Sequence, residues 1–416
     1  MEVIKRIETR KGANLNLNGI AEKIFDKTLS INTYGLRPDD FFGTTPKLCL
    51  KEGSNILAGT PIFYSKKTPS IKIVSPISGI IKKILRGPKR KIENIIIESS
   101  TNQESIIHEV KGWKKMEINN LKQLLMESGN WSFIHQRPYG IMANPLDTPK
   151  SIFVSTAKTG PLGEDYHFVL KEDQKEFQLG IDLLNRLVDQ PVFLGLDKSF
   201  PGYFESIEGV QHYSFEGPHP AGNLSLHIQK LSPLNMNDRV WTVNPEDVVN
   251  IGRFVSSGVF SPQRTIAVSG NAVKNPKYFR TKIGAELAPI LNKVGIKFDN
   301  VRVINGDVLT GSTALISGHL GYFNNLVTVI PEGSHYRMFG WLPFKDNKIL
   351  SLSNTSFSRL FNRKGFEVDT NLNGEERALV VTGEMEKIFP LDIYPMQLIK
   401  ACMTEDIEKM EALGIY

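Results

Sequence analysis

Between Lys51 and Glu98 the chain reads KEGSNILAGTPIFYSKKTPSIKIVSPISGIIKKILRGPKRKIENIIIE, and few folds accept such a stretch. Three β-branched runs, Ile71 to Val74, Ile80 to Ile84 and Ile95 to Ile97, are separated by turns at Gly53, Gly59, Gly79 and Gly87. Valine and isoleucine fit a pleated surface, and glycine supplies the positive φ that tight turns require. The spacing predicts a compact set of hairpins.

The order Lys51-Glu-Gly, Ala58-Gly-Thr-Pro61 and Ser75-Pro-Ile-Ser-Gly79 resembles a biotinyl/lipoyl-type barrel-sandwich domain. Such carriers present a modifiable lysine at a hairpin tip. Lys66 and Lys67 lie between the two halves without the usual preceding methionine, so the module reads as a scaffold with no covalently bound cofactor. Its second feature is charge: Lys82, Lys83, Arg86, Lys89, Arg90 and Lys91 fall within ten residues. A solvated hairpin is one reading, and a patch facing an acidic partner or lipid headgroups is the other. Nucleic acid is disfavoured, because no aromatics are interleaved for base stacking.

The rest divides by pattern. Residues 1–110 read as β, and helical periodicity begins at Glu117, with Leu121, Leu124 and Leu125 on one face and Gly129 to end it. Ile152 to Val154, the stripe Phe177, Ile181, Leu184, Val188, and then Val192 to Leu194 form a strand, helix, strand succession, hence a parallel sheet over 111–255. Leu224 to Ile228 reads as a further strand after a Glu216 to Gly222 loop. From Thr265 the order strand, helix (Ile283, Leu287, Ile290, Leu291, Val294, ended by Gly295) and strand Val301 to Ile304 predicts a small β-grasp over 256–325. Residues 326–385 read as an irregular segment, β-like and loop-rich, with Arg359, Arg363 and Lys364 in a polar tract. Residues 386–416 read as helices, one of them capped by Thr404 with Ile407, Met410 and Leu413 inward.

Most catalytic signatures are missing. There is no Gly-Lys dipeptide for a P-loop, no G-x-S-x-G and no H-E-x-x-H. Thr159-Gly-Pro-Leu-Gly163 follows a strand but lacks the dinucleotide fingerprint, and a turn is the better reading. His212 and His219, with Glu216 between them, lack a third ligand at metal spacing and read as hydrogen-bonded histidines. Asp39-Asp40, Glu375-Glu376 and Glu405-Asp406 read as turns and caps. Two cysteines, Cys49 and Cys402, exclude a disulfide framework and a self-contained iron–sulfur cluster. No run approaches a membrane span, so the chain is expected to be cytosolic or peripheral, and a net charge of +6 is mild.

An ordered set of stretches carries a more specific resemblance. Gly35-Leu-Arg-Pro38, Lys51 to Phe63, Ser75 to Gly79, Arg86 to Arg90, Arg137-Pro138 through Pro149 to Val154, and Thr159 to Leu162 come first. Gly217 to Gly222, Leu226-His-Ile228, Trp241 to Asn244, Asp247 to Val249 and Ile251 to Arg253 complete it. Together they resemble the NqrA family, one of the subunits of the bacterial Na+-translocating NADH:quinone reductase. The resemblance implies a barrel-sandwich part, a Rossmann-like domain, a soluble-ligand-binding β-grasp (SLBB) domain and C-terminal helices. It also implies a peripheral position on the cytoplasmic face of the inner membrane. Flavins, the iron–sulfur cluster and the sodium path would then lie in partner subunits, integral membrane flavoproteins among them, with quinone as a ligand. The chain is also similar to the NADH/flavin-binding subunit of respiratory complex I, without that subunit's flavin loop and cluster cysteines. Family members commonly continue past Leu413 to Tyr416 with an acidic, Cys-containing tail, so assembly through such a tail is the point of departure.

A quinone is apolar with two carbonyl acceptors, so its site needs an apolar cleft with one or two donors. Tyr34, Arg37, Pro38 and Phe41, beside Phe42, are the candidates, against the alternative that these aromatics pack a turn onto the barrel. Two further readings stay open: a stand-alone nucleotide-binding protein using Lys158 to Gly163, and an acyl or biotin carrier on residues 51–98.

Overall fold

The computed structural model describes residues 5–415 except 27, 157, 198–201, 336–338, 340–341, 343–348, 352–357, 359–364, 373, 375 and 377. Arg359, Arg363, Lys364 and Glu375 therefore lie outside the described residues. The β-rich stretch forms two small sheets. One orders the strands Thr33–Leu36, Ile92–Ser99, Gly79–Arg86 and Asn55–Ile56; the other orders Pro46–Leu48, Pro61–Ser65 and Lys72–Val74. Ile95 and Ile97 are buried while Glu93 and Glu98 are exposed, the period-2 alternation of a half-buried strand. This is the barrel-sandwich, with Lys66 and Lys67 exposed between Pro61–Ser65 and Lys72–Val74.

A seven-stranded sheet follows, in the order Lys5–Glu8, Gln211–Glu216, Val192–Asp197, Ile152–Ser155, Val240–Thr242, His135–Arg137 and Ile141–Met142. The first five strands are parallel, and the last two are joined by successive antiparallel pairings. Helices Gln174–Leu187 and Pro245–Ser257 pack together on it, and Gly180 and Gly252 set their separation. A Cβ on Gly180 would strike the carbonyl oxygen of Val248, and one on Gly252 that of Glu176.

The third sheet orders Ser312–Ala314, Val301–Asn305, Leu326–Pro331, Gln263–Ser269, Lys277–Lys282 and Glu22–Asp26 against helix Leu287–Val294, whose Leu287, Ile290, Leu291 and Val294 are buried. The three units are interleaved, because Lys5–Glu8 and Glu22–Asp26 are edge strands of the second and third sheets. Three helices, Glu384–Ile388, Pro395–Met403 and Ile407–Ala412, occupy the last part. Among the described residues no helix is long and apolar enough to cross a membrane.

Several local expectations are corrected. Leu224 to Ile228 belongs to helix Leu224–Leu231; its leucines and isoleucine satisfy period 2 and period 3.6 alike, and Leu224, Ile228 and Leu231 stack on the helical repeat. The strand lies earlier, at Gln211–Glu216, where Tyr213 and Phe215 alternate inward and Glu216 is part of the strand, not of the loop that follows. The β-grasp helix starts at Leu287 and not at Ile283, because Gly284 takes φ +75 where the Gly35 carbonyl leaves no room for a Cβ. Strand Lys277–Lys282 fills the interval before it. Asp406, not Thr404, caps the last helix by accepting from Lys409 N, and Ile407 is exposed.

The glycine contact between the paired helices is checkable. Gly180→Ala should cost about 1–3 kcal/mol, as overpacking does, and lower the thermal midpoint. A midpoint equal to wild type would mean that the helices are not in backbone contact there.

Candidate functional site

Segments from all three units meet at one cleft of about 320 Å³. The barrel contributes Arg37 and Asp40, the loop after strand Ile152–Ser155 contributes Lys158 and Glu164, and the β-grasp contributes Asn305 to Ser312 and Phe323 to Leu326. Arg37 Nη2 donates to Asp40 Oδ1 at 2.6 Å, and Asp40 Oδ2 accepts the Tyr322 N–H at 2.9 Å. Burial pushes the Asp40 carboxyl up, against the pull of Arg37.

The candidate quinone residues divide in this geometry. Arg37 reaches the cleft and Pro38 is buried beside it at the start of a short 3-10 turn. Phe41 is enclosed, edge-on to Phe63, Tyr322 and Phe323 with ring centroids 5.7, 4.7 and 5.3 Å away. Tyr34 is also buried, and burial raises its phenol pKa. Phe42 is exposed. Tyr34 and Phe41 thus pack the barrel against the β-grasp. Phe41→Ala should therefore cost about 3–5 kcal/mol, read by thermal or denaturant unfolding.

Lys158 to Gly163 sits at the carboxyl edge of the parallel sheet, beside the point where strand order reverses between Ile152–Ser155 and Val240–Thr242. Open α/β folds take ligands there. Here side chains already fill the position. Lys158 pairs with buried Glu164, which accepts the Tyr166 hydroxyl at 2.8 Å, and Asn244 Nδ2 donates to the same hydroxyl at 2.6 Å. Burial pushes Glu164 up, but Lys158 and the hydrogen bonds outweigh it and hold the carboxyl below its usual range. Thr159 Oγ1 bonds His219 Nδ1 at 3.1 Å and accepts from Gly222 N, so the loop's polar groups are tied to its neighbour. His212 Nε2 contacts the Phe204 carbonyl at 3.0 Å. Among the described residues, no group of three His, Cys, Asp or Glu is placed to hold a metal.

Behind the cleft lies a centre that no motif marks. Arg264, in strand Gln263–Ser269, is fully buried. Its Nη2 lies 2.9 Å from Asp247 Oδ1 and donates to the Tyr322 carbonyl at 3.1 Å; its Nη1 lies 3.5 Å from Glu246 Oε2. Glu246 also accepts from Thr265 N at 2.8 Å and from Asn325 Nδ2. Glu246 and Asp247 open helix Pro245–Ser257 and are themselves buried. Two carboxylates share one guanidinium, so burial pushes Glu246 up to about 7 and raises Asp247 as well.

A second cavity, of about 340 Å³, is more apolar and is lined by Leu15, Leu17, Ile304, Ile330 and Val368. Of the polar residues at its wall, Arg302, Asp369 and Thr370, Arg302 and Thr370 donate to Glu332.

The fold and cleft define a multidomain α/β protein in which barrel-sandwich, parallel-sheet and β-grasp units enclose a polar junction. Family models match each unit: the NqrA N-terminal barrel-sandwich hybrid domain over residues 7–100, the NqrA second alpha/beta domain over 116–260 and the NQRA C-terminal domain over 265–315. The NqrA protein of the Na(+)-translocating NADH-quinone reductase of Alcanivorax borkumensis is 32% identical over 98% of this chain and 92% of the relative. The corresponding protein of Rhodopirellula baltica is 33% identical over 98% of this chain and 90% of its own length. Among solved structures, an NAD+-reducing [NiFe]-hydrogenase aligns at 12% identity and TM-score 0.38 over 52% of this chain and 47% of its own. The chain belongs to the NqrA family of Na+-translocating NADH-quinone reductase subunits.

The buried centre generates two predictions. Glu246 binds its proton more tightly folded (about 7) than at its ordinary 4.5, so its contribution is complete below about 4.5 and is lost as pH rises through 7. That is about 3 kcal/mol across the window. Glu246→Gln should flatten the thermal midpoint against pH between 5 and 8; an unchanged slope would assign the dependence elsewhere. Arg264→Met, which strands two buried carboxylates, should cost about 3–5 kcal/mol near pH 8 and less near pH 5.

Proposed function

We propose that this chain is the docking subunit of a Na+-translocating NADH:quinone reductase. It sits peripherally on the cytoplasmic face of the membrane and carries no redox centre of its own, with flavins and the iron–sulfur cluster held by its partner subunits. The observation that carries this reading is the filled carboxyl-edge crevice. Where such a sheet takes a nucleotide, Lys158, Glu164, Tyr166 and Asn244 bond one another, and the adjoining Asp165 ties the loop to the β-grasp sheet by donating its N–H to the Tyr278 hydroxyl at 3.1 Å and pairing with Lys23 at 2.5 Å. Relatives named for the same component of the reductase match nearly the whole chain, which supports this reading.

In this reading the quinone contact is at the cleft mouth. Asp40 engages Nε and Nη2 of Arg37, which leaves Nη1 to donate to a quinone carbonyl beside the Phe323 ring. The apolar cavity at Leu15 and Leu17 is a second candidate for the ring, with Arg302 held by Glu332 through Nε and Nη2 and Thr370 also donating to Glu332. A nucleotide-binding role for Lys158 to Gly163 has less support, since Lys158 is neutralised by Glu164.

The test is recovery of the tagged full chain from native membranes, with partners identified and NADH:quinone activity assayed with and without sodium. Integral flavoprotein partners and sodium-stimulated activity are expected; a chain recovered alone that saturably binds nucleotide would overturn the assignment. Within the assembled complex, Arg37→Ala should raise the KM for quinone about tenfold, the loss of one charged hydrogen bond. Unchanged quinone kinetics would remove the contact and leave the docking role intact.

A further inference from the structure

The hairpin joining strands Gly79–Arg86 and Ile92–Ser99 ends in a tip whose backbone and side chains disagree. Lys89 and Arg90 both take left-handed backbone conformations, φ 54 and φ 58. Glycine, asparagine and aspartate enter that region readily, and other side chains meet their own backbone there. Asn-Gly is the usual choice at two successive left-handed positions in a hairpin. This tip places two long cations there, with Pro88 before them and the Gly87 N–H bonded to the Lys91 carbonyl at 2.9 Å.

The charges sort into two groups. Lys82 pairs with Glu98 at 2.7 Å, Lys91 pairs with Asp39 at 2.7 Å, and Arg86 Nη1 donates to the Arg90 carbonyl. Those three brace the hairpin. Lys89 and Arg90 are exposed and make no side-chain ion pair or hydrogen bond among the described residues, and neither does Lys83 on the adjoining strand. Side chains that oppose the local backbone and make no ion pair or hydrogen bond in their own chain are placed for something outside it.

From the charge and the strained backbone together, we infer that Lys83, Lys89 and Arg90 form a docking tip for an acidic surface on another protein of the same complex. This rests on the docking role proposed above. A protein partner fits better than an anionic bilayer. Each cation near such a bilayer adds about fivefold to binding, and stable attachment needs a second, apolar signal. The tip, Pro88 to Lys91, has no aromatic or aliphatic anchor. Against a rigid acidic protein surface the same three charges act by steering and register, and they leave a strong salt dependence.

The experiment compares the tagged full chain with Lys89→Asn/Arg90→Gly, and with Lys89→Arg/Arg90→Lys as the charge-preserving control. Each is captured on membranes carrying the remaining subunits. The expected result is a thermal midpoint no lower than wild type, because the new residues suit the backbone. Retention of the reductase subunits should weaken about tenfold at low salt, the worth of two exposed ion pairs, with a flatter salt dependence. The control should bind as wild type. Equal retention and an equal salt slope, with wild type capturing its partners, would overturn the inference and leave the docking role standing. A wild-type chain that captures none of these subunits would sink that underlying role instead. A lower midpoint would show that the two side chains serve the fold and overturn the inference, and so would tip-dependent binding to vesicles containing anionic lipid, which would assign the tip to the bilayer.

Discussion

A single guanidinium, that of Arg264, holds the architecture in register. It lies in the first part of a β-grasp strand, faces two carboxylates at the start of a helix on the parallel sheet, and donates to the carbonyl of Tyr322. Tyr322 carries the link onward: its N–H bonds Asp40 of the barrel, and its hydroxyl meets Ser132 Oγ at 2.9 Å. Buried ion pairs add little net stability compared with apolar packing, yet removing one partner is expensive. An interaction with that asymmetry fixes arrangement more than it adds stability. It tolerates one relative placement of three units and penalises the others.

The crossing strands reinforce this. Because Lys5–Glu8 and Glu22–Asp26 complete the second and third sheets, the barrel cannot be separated from either without breaking backbone ladders. Thr33 Oγ1 donates to Glu286 at 2.7 Å and Lys277 pairs with Asp26 at 2.7 Å, contacts that span 253 and 251 residues of chain. The cleft at Arg37 is a product of this interleaving, since all three units line it.

The same economy explains the loop at Lys158. A cation, two small residues and a sheet's carboxyl edge are the ingredients of an anion site. Burying Glu164 beside Lys158 converts them into an internal joint. The chain thus keeps the topology of a ligand-binding α/β domain while its own side chains fill the crevice.

Much of the local structure is legible in the residues. Alternation at Ile95 and Ile97, the stripe Phe177, Ile181 and Leu184, and Glu117 ahead of Leu121 mark the strand and helices found. Side-chain period is a local property, so it survives reading without a structure. Leu224 to Ile228 is ambiguous because a short apolar run fits both periods, and only its packing over Tyr213 and Phe215 selects the helix. The candidate site is half legible. Arg37 stands out from its setting, but that Phe41 points into the Tyr322–Phe323 cluster depends on residues about 280 positions away. Arg264 carries no local signal, because one arginine at the head of a strand looks like any exposed charge, and Glu246-Asp247 look like a helix start. The sequence by itself determined the type of the strongly periodic elements, the order of the units and the family. The tertiary structure decided which sheet each early strand joins, which aromatics are enclosed and which charges are buried, because desolvation and long-range strand pairing depend on neighbours that no local pattern encodes.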